Sequence, residues 1–282
     1  MYQATLVLEG GATRGVYTAG ILDYFMEQEL EVSNILGVSA GSCNCVDYIS
    51  GQIGRSKDCM IITKKENVYY GIRKLVEKGK LIDMDLLFDD FANKVFPFDY
   101  DAFLDSDTEC EIVATNCVNG KAEYMKPHKK EELMSICRAS SSVPLIAPMV
   151  WINDIPYLDG GIADSVPIDR AMELGNKKII VILTRNKGYR KKAPSKTMLR
   201  LCKRKYSAYP KFISALENRY KVYNKTMDYI DELEKKGDIF VMRPTLPPVS
   251  RFEKSVEKLN EFYNHGYEDG KKKYTALLEY IK

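Results

Sequence analysis

The chain has 282 residues, 45% of them hydrophobic and 29% charged, which is enough apolar material for one large α/β domain or two small ones. That balance excludes wholesale disorder, and no apolar run approaches the ~18 residues of a membrane-spanning helix. Seven cysteines at scattered spacings do not suggest a disulfide framework. The strand-like run entered at Ala4 leaves no room for a signal peptide, so a cytoplasmic protein with reduced thiols is expected. Net charge is +3, but eleven Lys and Arg residues lie between Arg185 and Lys211 with no Asp or Glu among them. A mildly acidic body thus carries one strongly basic segment.

Ala4 to Leu8 is a continuous apolar run, the pattern of a strand buried on both faces of a parallel sheet. Glycines at 10, 11 and 15 follow, then a mostly apolar helix from about Arg14 to Leu30 and a short strand over 34–38. This βαβ unit argues for an α/β fold with a parallel sheet. The pattern from Asp58 to about Phe96 is helical, and 111–115 is another buried strand. Asn119-Gly120 signals a hairpin that pairs that strand's extension with 122–125. A helix is expected over 131–139, stopped by 140–144. Two short strands around Asn153-Asp154 lie within 149–158, a helix near 167–174 and a buried strand over 178–184. Beyond Arg185 the pattern predicts helices, a strand over 238–242, and a closing helix from Phe252 with an apolar face of Phe252, Val256, Leu259 and Tyr263. No linker divides the chain, so one domain is expected, with a core over about 4–184 and a basic, mainly helical portion over 185–282.

Ser39 lies in Gly37-Val38-Ser39-Ala40-Gly41, between the strand over 34–38 and a segment able to enter a helix. A serine on a sharp strand-to-helix turn needs small residues two positions either side, where a β-carbon would collide with its neighbours. Such a turn projects the hydroxyl outward above backbone N–H groups. A serine nucleophile also needs a base, and donors for the oxyanion that forms on the carbonyl. The run Glu9-Gly10-Gly11-Ala12-Thr13-Arg14-Gly15 fits the second need, with the N–H groups of Gly11, Ala12 and Ala40 as candidate donors. The same glycines do not make a dinucleotide fingerprint, because the next strand ends in Ser39 and not in an acidic residue. Nor do they make a P-loop, because Gly15 is followed by Val16 and Tyr17.

The base is harder to find. His128 and His265 both sit in polar, charged contexts and read as solvated surface residues. Asp159 leaves a strand and is followed by Gly160 and Gly161. Two readings stay open for it: a catalytic carboxylate at a strand end, or a turn aspartate.

Taken together, Glu-Gly-Gly-Ala-Thr-Arg-Gly at 9–15, Gly-Val-Ser-Ala-Gly at 37–41 and Asp-Gly-Gly at 159–161 resemble the patatin-like phospholipases. Ala139-Ser140, followed after three residues by Pro144, is similar to a further segment of that family. The resemblance covers about residues 4–184. It implies a three-layer α/β/α domain with a mainly parallel central sheet. It also implies a Ser–Asp dyad, with Ser39 as nucleophile and Asp159 as general base. Gly10, Gly11, Ala12, Arg14, Gly15 and Ala40 would then form the oxyanion loop, and Gly37, Gly41, Gly160 and Gly161 would support elbow and dyad. Lipid acyl hydrolysis through an acyl-enzyme is implied, with no metal or organic cofactor. The chain departs from the family at Ala12, where a third glycine is usual. A carboxylate of ordinary pKa, ~4, is a weak base for an alcohol, so such a dyad needs a short hydrogen bond and exclusion of water.

The expected substrate is a phospholipid or another acyl ester. A short-chain carboxylesterase, thioesterase or acyltransferase on the same dyad is one alternative, and a silent lipid-binding module is another. The basic segment 185–211 suits either peripheral contact with an anionic membrane surface or a solvated face. No nucleic-acid motif accompanies it. Arg14 either holds the glycine loop or faces an anionic substrate. Cys43 and Cys45, two apart on a helix, point to different faces and read as packing residues.

Overall fold

The computed structural model describes residues 1–71, 74, 76 and 81–282. Its first half contains β1 (Tyr2–Leu8), α1 (Gly15–Glu27), β2 (Val32–Val38), α2 (Ala40–Ile49), α3 (Arg55–Met60), α4 (Leu86–Val95), α5 (Tyr100–Leu104), β3 (Glu109–Asn116) and β4 (Ala122–Met125). The second half contains α6 (Lys130–Ser140), β5 (Val150–Ile152), β6 (Ile155–Asp159), α7 (Ile168–Glu173) and β7 (Lys178–Ile182). It ends with α8 (Lys196–Lys205), α9 (Pro210–Lys236), β8 (Phe240–Met242) and α10 (Val256–Ile281).

Strands pair in the order β5-β6-β3-β2-β1-β7-β8, with β4 also on β3. The pairs linking β3, β2, β1, β7 and β8 are parallel, while β4, β5 and β6 pair antiparallel. Continuous apolar strands bury both faces. Leu6, Leu8 and Ile35 pack with α1, α2, α6 and α10 on one side, whereas Val7, Leu36 and Val181 pack with α7 and α9 on the other. The result is three layers, helix–sheet–helix. The β5–β6 turn at Asn153-Asp154 has φ of 49° and 60°, as a two-residue hairpin of the right twist requires.

Register along β3 brings two chain ends together. β2 runs parallel to β3 and ends with Val38 opposite Val113. β6 runs antiparallel and ends with Asp159 opposite Ala114. β4 pairs with residues 112–115, overlapping both, and so occupies the other edge of β3. The C-termini of β2 and β6 therefore converge head to head on one edge.

The C-terminal third is built into the same sheet and layers. β8 extends the sheet beside β7. α10 crosses α1 at Gly20 and Gly266, where a Cβ would lie 2.2 Å from the Tyr263 carbonyl oxygen and 2.0 Å from that of Tyr17. Asp23, buried within α1, accepts from Tyr263 Oη at 2.6 Å and from the Gly54 N–H at 3.0 Å.

Two expectations need correction. The stretch 58–96 is not one helical run: α3 ends at Met60, a short 3₁₀ turn covers Lys65–Asn67, and Tyr70 bridges Ile82 before α4 begins. Residues 72, 73, 75 and 77–80 of that stretch lie outside the described residues. α4 itself is hydrogen-bonded as a π-helix. The closing helix starts at Val256, capped by Ser255, so Phe252 belongs to the preceding loop and not to the helix's apolar face.

Candidate active site

Ser39 occupies the turn between β2 and α2 with φ 55° and ψ −123°, a left-handed conformation costly for a residue with a side chain. Close packing enforces the turn. A Cβ on Gly41 would lie 2.4 Å from the Leu8 carbonyl oxygen, and one on Gly37 would lie 2.7 Å from Ser42 Cα. The Ser39 N–H donates to Ser140 Oγ at 2.8 Å, and Ser42 Oγ donates to the Ser39 carbonyl at 2.6 Å.

Ser39 Oγ donates to Asp159 Oδ2 at 3.1 Å, longer than the short bond expected of a dyad. The other carboxylate oxygen, Oδ1, accepts the Gly161 N–H at 2.7 Å. The Asp159 N–H donates to the Ser142 carbonyl at 2.8 Å, and its own carbonyl accepts from Thr115 Oγ1 at 2.8 Å. Only 6% of Asp159 is exposed, so its hydrogen bond to Ser39 is largely shielded from water. Gly160 lies against the Val113 carbonyl, which brings β6 close beneath the elbow.

The glycine loop closes over this pair. Gly10 packs directly on Ser39, and Gly15 opens α1 beside the Ala40 methyl. Asn44 Nδ2 donates to the Gly15 carbonyl at 3.0 Å and ties the loop to α2. Ala12 takes φ 51°, which accounts for the glycine usual at this position in the family. The loop is held from outside by the segment before α10: the Thr13 N–H donates to the Arg251 carbonyl and Thr13 Oγ1 to that of Ser250 at 3.0 Å. Among the described residues, no group accepts from the N–H groups of Gly11, Ala12 or Ala40.

Two cavities flank Ser39. One is lined mainly by apolar side chains, including Val46, Met84, Phe88, Met134 and Phe252. Cys43, Cys59 and Cys137 also line it, and burial raises all three thiols, Cys43 to about 12, so none offers a competing thiolate near neutrality. The other cavity is lined by Asp159, Glu9 and the basic residues Arg14, Arg185, Lys191, Arg219 and Arg251.

His128 is exposed. His265, read as solvated, is instead partly buried between Tyr17 and Phe262, and its Nε2 accepts the Thr245 N–H at 3.1 Å. Neither histidine lines a cavity beside Ser39. Cys43 faces the apolar cavity, while Cys45 Sγ packs 3.4 Å from Cys110 Sγ. Arg14 is buried and turns toward the basic cavity. The basic segment divides: Lys187, Arg190 and Lys203 pair with Glu234, Asp228 and Glu217, whereas Arg185 and Lys191 turn inward. Arg219, Arg251 and Phe252 carry no motif, and no signal in one sequence could have placed them beside Ser39.

The class is settled by comparison. Residues 6–172 match the family described as patatin-like phospholipase, and the chain belongs to it, a family of hydrolases acting on ester bonds. Residues 209–282 match a domain of unknown function, DUF6363. An uncharacterized protein of Escherichia coli, YjjU, is 33% identical over 64% of this chain and 51% of its own. The probable lipid hydrolase 463L of Invertebrate iridescent virus 6 is 25% identical over 63% of this chain and 66% of its own. The chain thus spans about half to two thirds of these relatives. VipD of Legionella pneumophila shares the fold at 12% identity, with a TM-score of 0.51 over 99% of this chain and 67% of VipD.

Proposed function

We propose that the chain is a lipid acyl hydrolase working through a Ser39–Asp159 dyad, with deacylation of phospholipids or related glycerolipids as its reaction. The observation that carries the reading is the 3.1 Å hydrogen bond from Ser39 Oγ to a shielded Asp159 carboxylate beside a cavity lined mainly by apolar side chains. The acyl chain enters that cavity and its carbonyl carbon meets Ser39 Oγ. As Oγ attacks, its proton passes to Asp159 Oδ2, and the N–H groups of Gly11, Ala12 and Ala40 hold the oxyanion. Collapse breaks the ester bond, and the departing alcohol takes the proton from Asp159. Water then attacks the acyl-Ser39 ester, gives one proton to Asp159, and releases the fatty acid as Ser39 is reprotonated.

The apolar lining of this cavity favours a hydrocarbon chain over the small acyl group of a short-chain ester or thioester. We also propose that α8 rests on an anionic membrane surface, because Met198 and Leu201 are exposed among Lys196, Arg200 and Arg204. No described helix is long and apolar enough to cross a membrane. The whole chain acts as one structural unit, since β8 and α10 complete the sheet and the layer that bear the site.

The test is labelling with a fluorophosphonate, together with p-nitrophenyl ester hydrolysis across acyl lengths. Labelling at Ser39 with a long-chain optimum supports the reading. A folded protein that neither labels nor turns over leaves a lipid-binding module.

A further inference from the structure

The acyl cavity accounts for one side of Ser39, and the basic cavity lies on the other. Both include Ser39, Ala12 and Val143 in their walls. An ester whose carbonyl sits at Ser39 with its chain in the apolar cavity must place its alcohol portion in the basic one.

That cavity carries more positive charge than the protein neutralises. Arg14, Arg185, Lys191, Arg219 and Arg251 line it, against Glu9 and Asp159. None of the five makes an ion pair with a carboxylate among the described residues. Glu9 is engaged elsewhere: Oε2 accepts the Thr184 N–H at 2.7 Å and Oε1 accepts from Tyr223 Oη at 2.9 Å. Asp159 is held by Ser39 and Gly161. Neutral oxygens support the inward cations instead, with Lys191 Nζ donating to Ser165 Oγ at 2.9 Å and Arg219 Nε to the Gly161 carbonyl. Arg14 is 6% exposed and its buried Nε has no partner. Buried cations without counter-ions are costly, and a bound anion removes that cost. Burial and the neighbouring Arg185 and Arg251 lower the Arg14 pKa to about 10, and burial with Arg219 lowers that of Lys191.

The cavity is also hostile to a cationic headgroup. Its aromatic ring Tyr189 is covered by Arg185 at 4.3 Å, and Tyr223 beneath it by Lys191 at 3.6 Å. A choline or ethanolamine group would meet rings already faced by Arg185 and Lys191 and no free carboxylate, and would be opposed by like charge.

Resting on the hydrolase reading above, we propose that this cavity binds the phosphate of the substrate's alcohol portion and selects lipids with a dianionic phosphomonoester headgroup, as in phosphatidate, over zwitterionic ones. Four of the five cations come from chain segments beyond β7, three of them from loops: Arg185 and Lys191 from the loop before α8, and Arg251 from the loop before α10. Arg219 on α9 approaches from the same side.

The experiment compares kcat/KM for dioleoylphosphatidate and dioleoylphosphatidylcholine in mixed micelles at equal surface fraction, for wild type and R185Q/R251Q. Wild type is expected to favour phosphatidate by about tenfold or more, and the variant to lose most of that ratio. Equal wild-type ratios with both lipids cleaved overturn the selection and leave the hydrolase intact. A second measurement does not depend on turnover: calorimetric titration of S39A with dihexanoylphosphatidate, dihexanoylphosphatidylcholine and inorganic phosphate. Tighter binding of the phosphatidate than of either other ligand supports the proposal even where no ester is cleaved. Equal binding of the two lipids overturns it, and inorganic phosphate binding as tightly as phosphatidate overturns its assignment to a lipid headgroup. Should the double variant fail to fold, single R251Q on its loop replaces it in the kinetic comparison.

Discussion

Ser140 stands between Ser39 and the sheet: its Oγ accepts the Ser39 N–H at 2.8 Å and donates to the Val113 carbonyl at 2.6 Å. One hydroxyl thus ties the strained turn to the strand on which β2 and β6 converge. Replacing it by S140A leaves a donor and an acceptor unpaired beneath Ser39, at a cost of about 1–3 kcal/mol. A lower thermal midpoint and a kcat reduced more than KM is raised are expected. An unchanged midpoint would show that water replaces the hydroxyl.

For the dyad, D159N should abolish turnover while the fold persists. An asparagine carbonyl can still accept the Gly161 N–H that Asp159 Oδ1 now accepts at 2.7 Å, so the 3₁₀ turn after β6 is kept. What is lost is a group able to take the Ser39 proton. The check is p-nitrophenyl ester turnover beside a circular dichroism spectrum. Retention of more than about a tenth of wild-type activity removes Asp159 from the mechanism, since general-base catalysis contributes ~10²–10⁴-fold.

Much of this was legible in the residues. Apolar runs over 4–8 and 178–184 announced strands buried on both faces, and glycines two positions from Ser39 announced the turn, because both signals are local. The stretch 58–96 misled, because its helical spacing holds for α3 and α4 but not for the Tyr70–Ile82 bridge between them. Arg219, Arg251 and Phe252 reach the site only through tertiary packing: α9 lies over the 3₁₀ turn after Asp159, and the loop before α10 bonds to Thr13. A charge or a ring on a loop looks the same in sequence whichever way it turns. Arg185 and Lys191 were visible only as part of a basic run, and nothing in that run distinguished them from Arg190, which pairs with Asp228.

Ala12 holds φ 51°, where an L side chain is strained by roughly 1–2 kcal/mol. A12G relieves that strain, partly offset by the greater freedom of glycine in the unfolded chain. A net gain of about 1 kcal/mol, a rise of about 2–4 °C in thermal midpoint, is expected. A fall in midpoint would mean that the methyl contributes more by packing than the backbone loses by strain.

The apolar cavity makes a length prediction. Val46 lines it and is 2% exposed, so V46W drives an indole into space the acyl chain would occupy. The optimum of p-nitrophenyl esters should shift to shorter chains, with kcat/KM for the longest falling most. Strain from overpacking costs about 1–3 kcal/mol of stability, so the profile is read on folded protein. An unshifted optimum would place the acyl chain elsewhere.

The charge balance of the basic cavity fixes the pH dependence of headgroup selection. A phosphomonoester loses its second proton near ~6, so the phosphatidate preference should rise through that pH. Burial, and then Arg219, lower the Lys191 pKa well below its ordinary 10.5, so the preference should fall again before the usual lysine range is reached. The sign for stability is opposite. Between the lowered folded value and the ordinary unfolded one, the unfolded chain holds more protons, so the free protein gains stability as pH rises through that window. Bound phosphatidate favours protonated Lys191 and should reduce this slope. The measurement is the phosphatidate-to-phosphatidylcholine ratio of kcat/KM against pH, for wild type and K191M. K191M should lose the alkaline limb and keep the rise near ~6, which belongs to the lipid. A wild-type alkaline limb that survives in K191M would assign it to another group and leave Lys191 outside headgroup recognition.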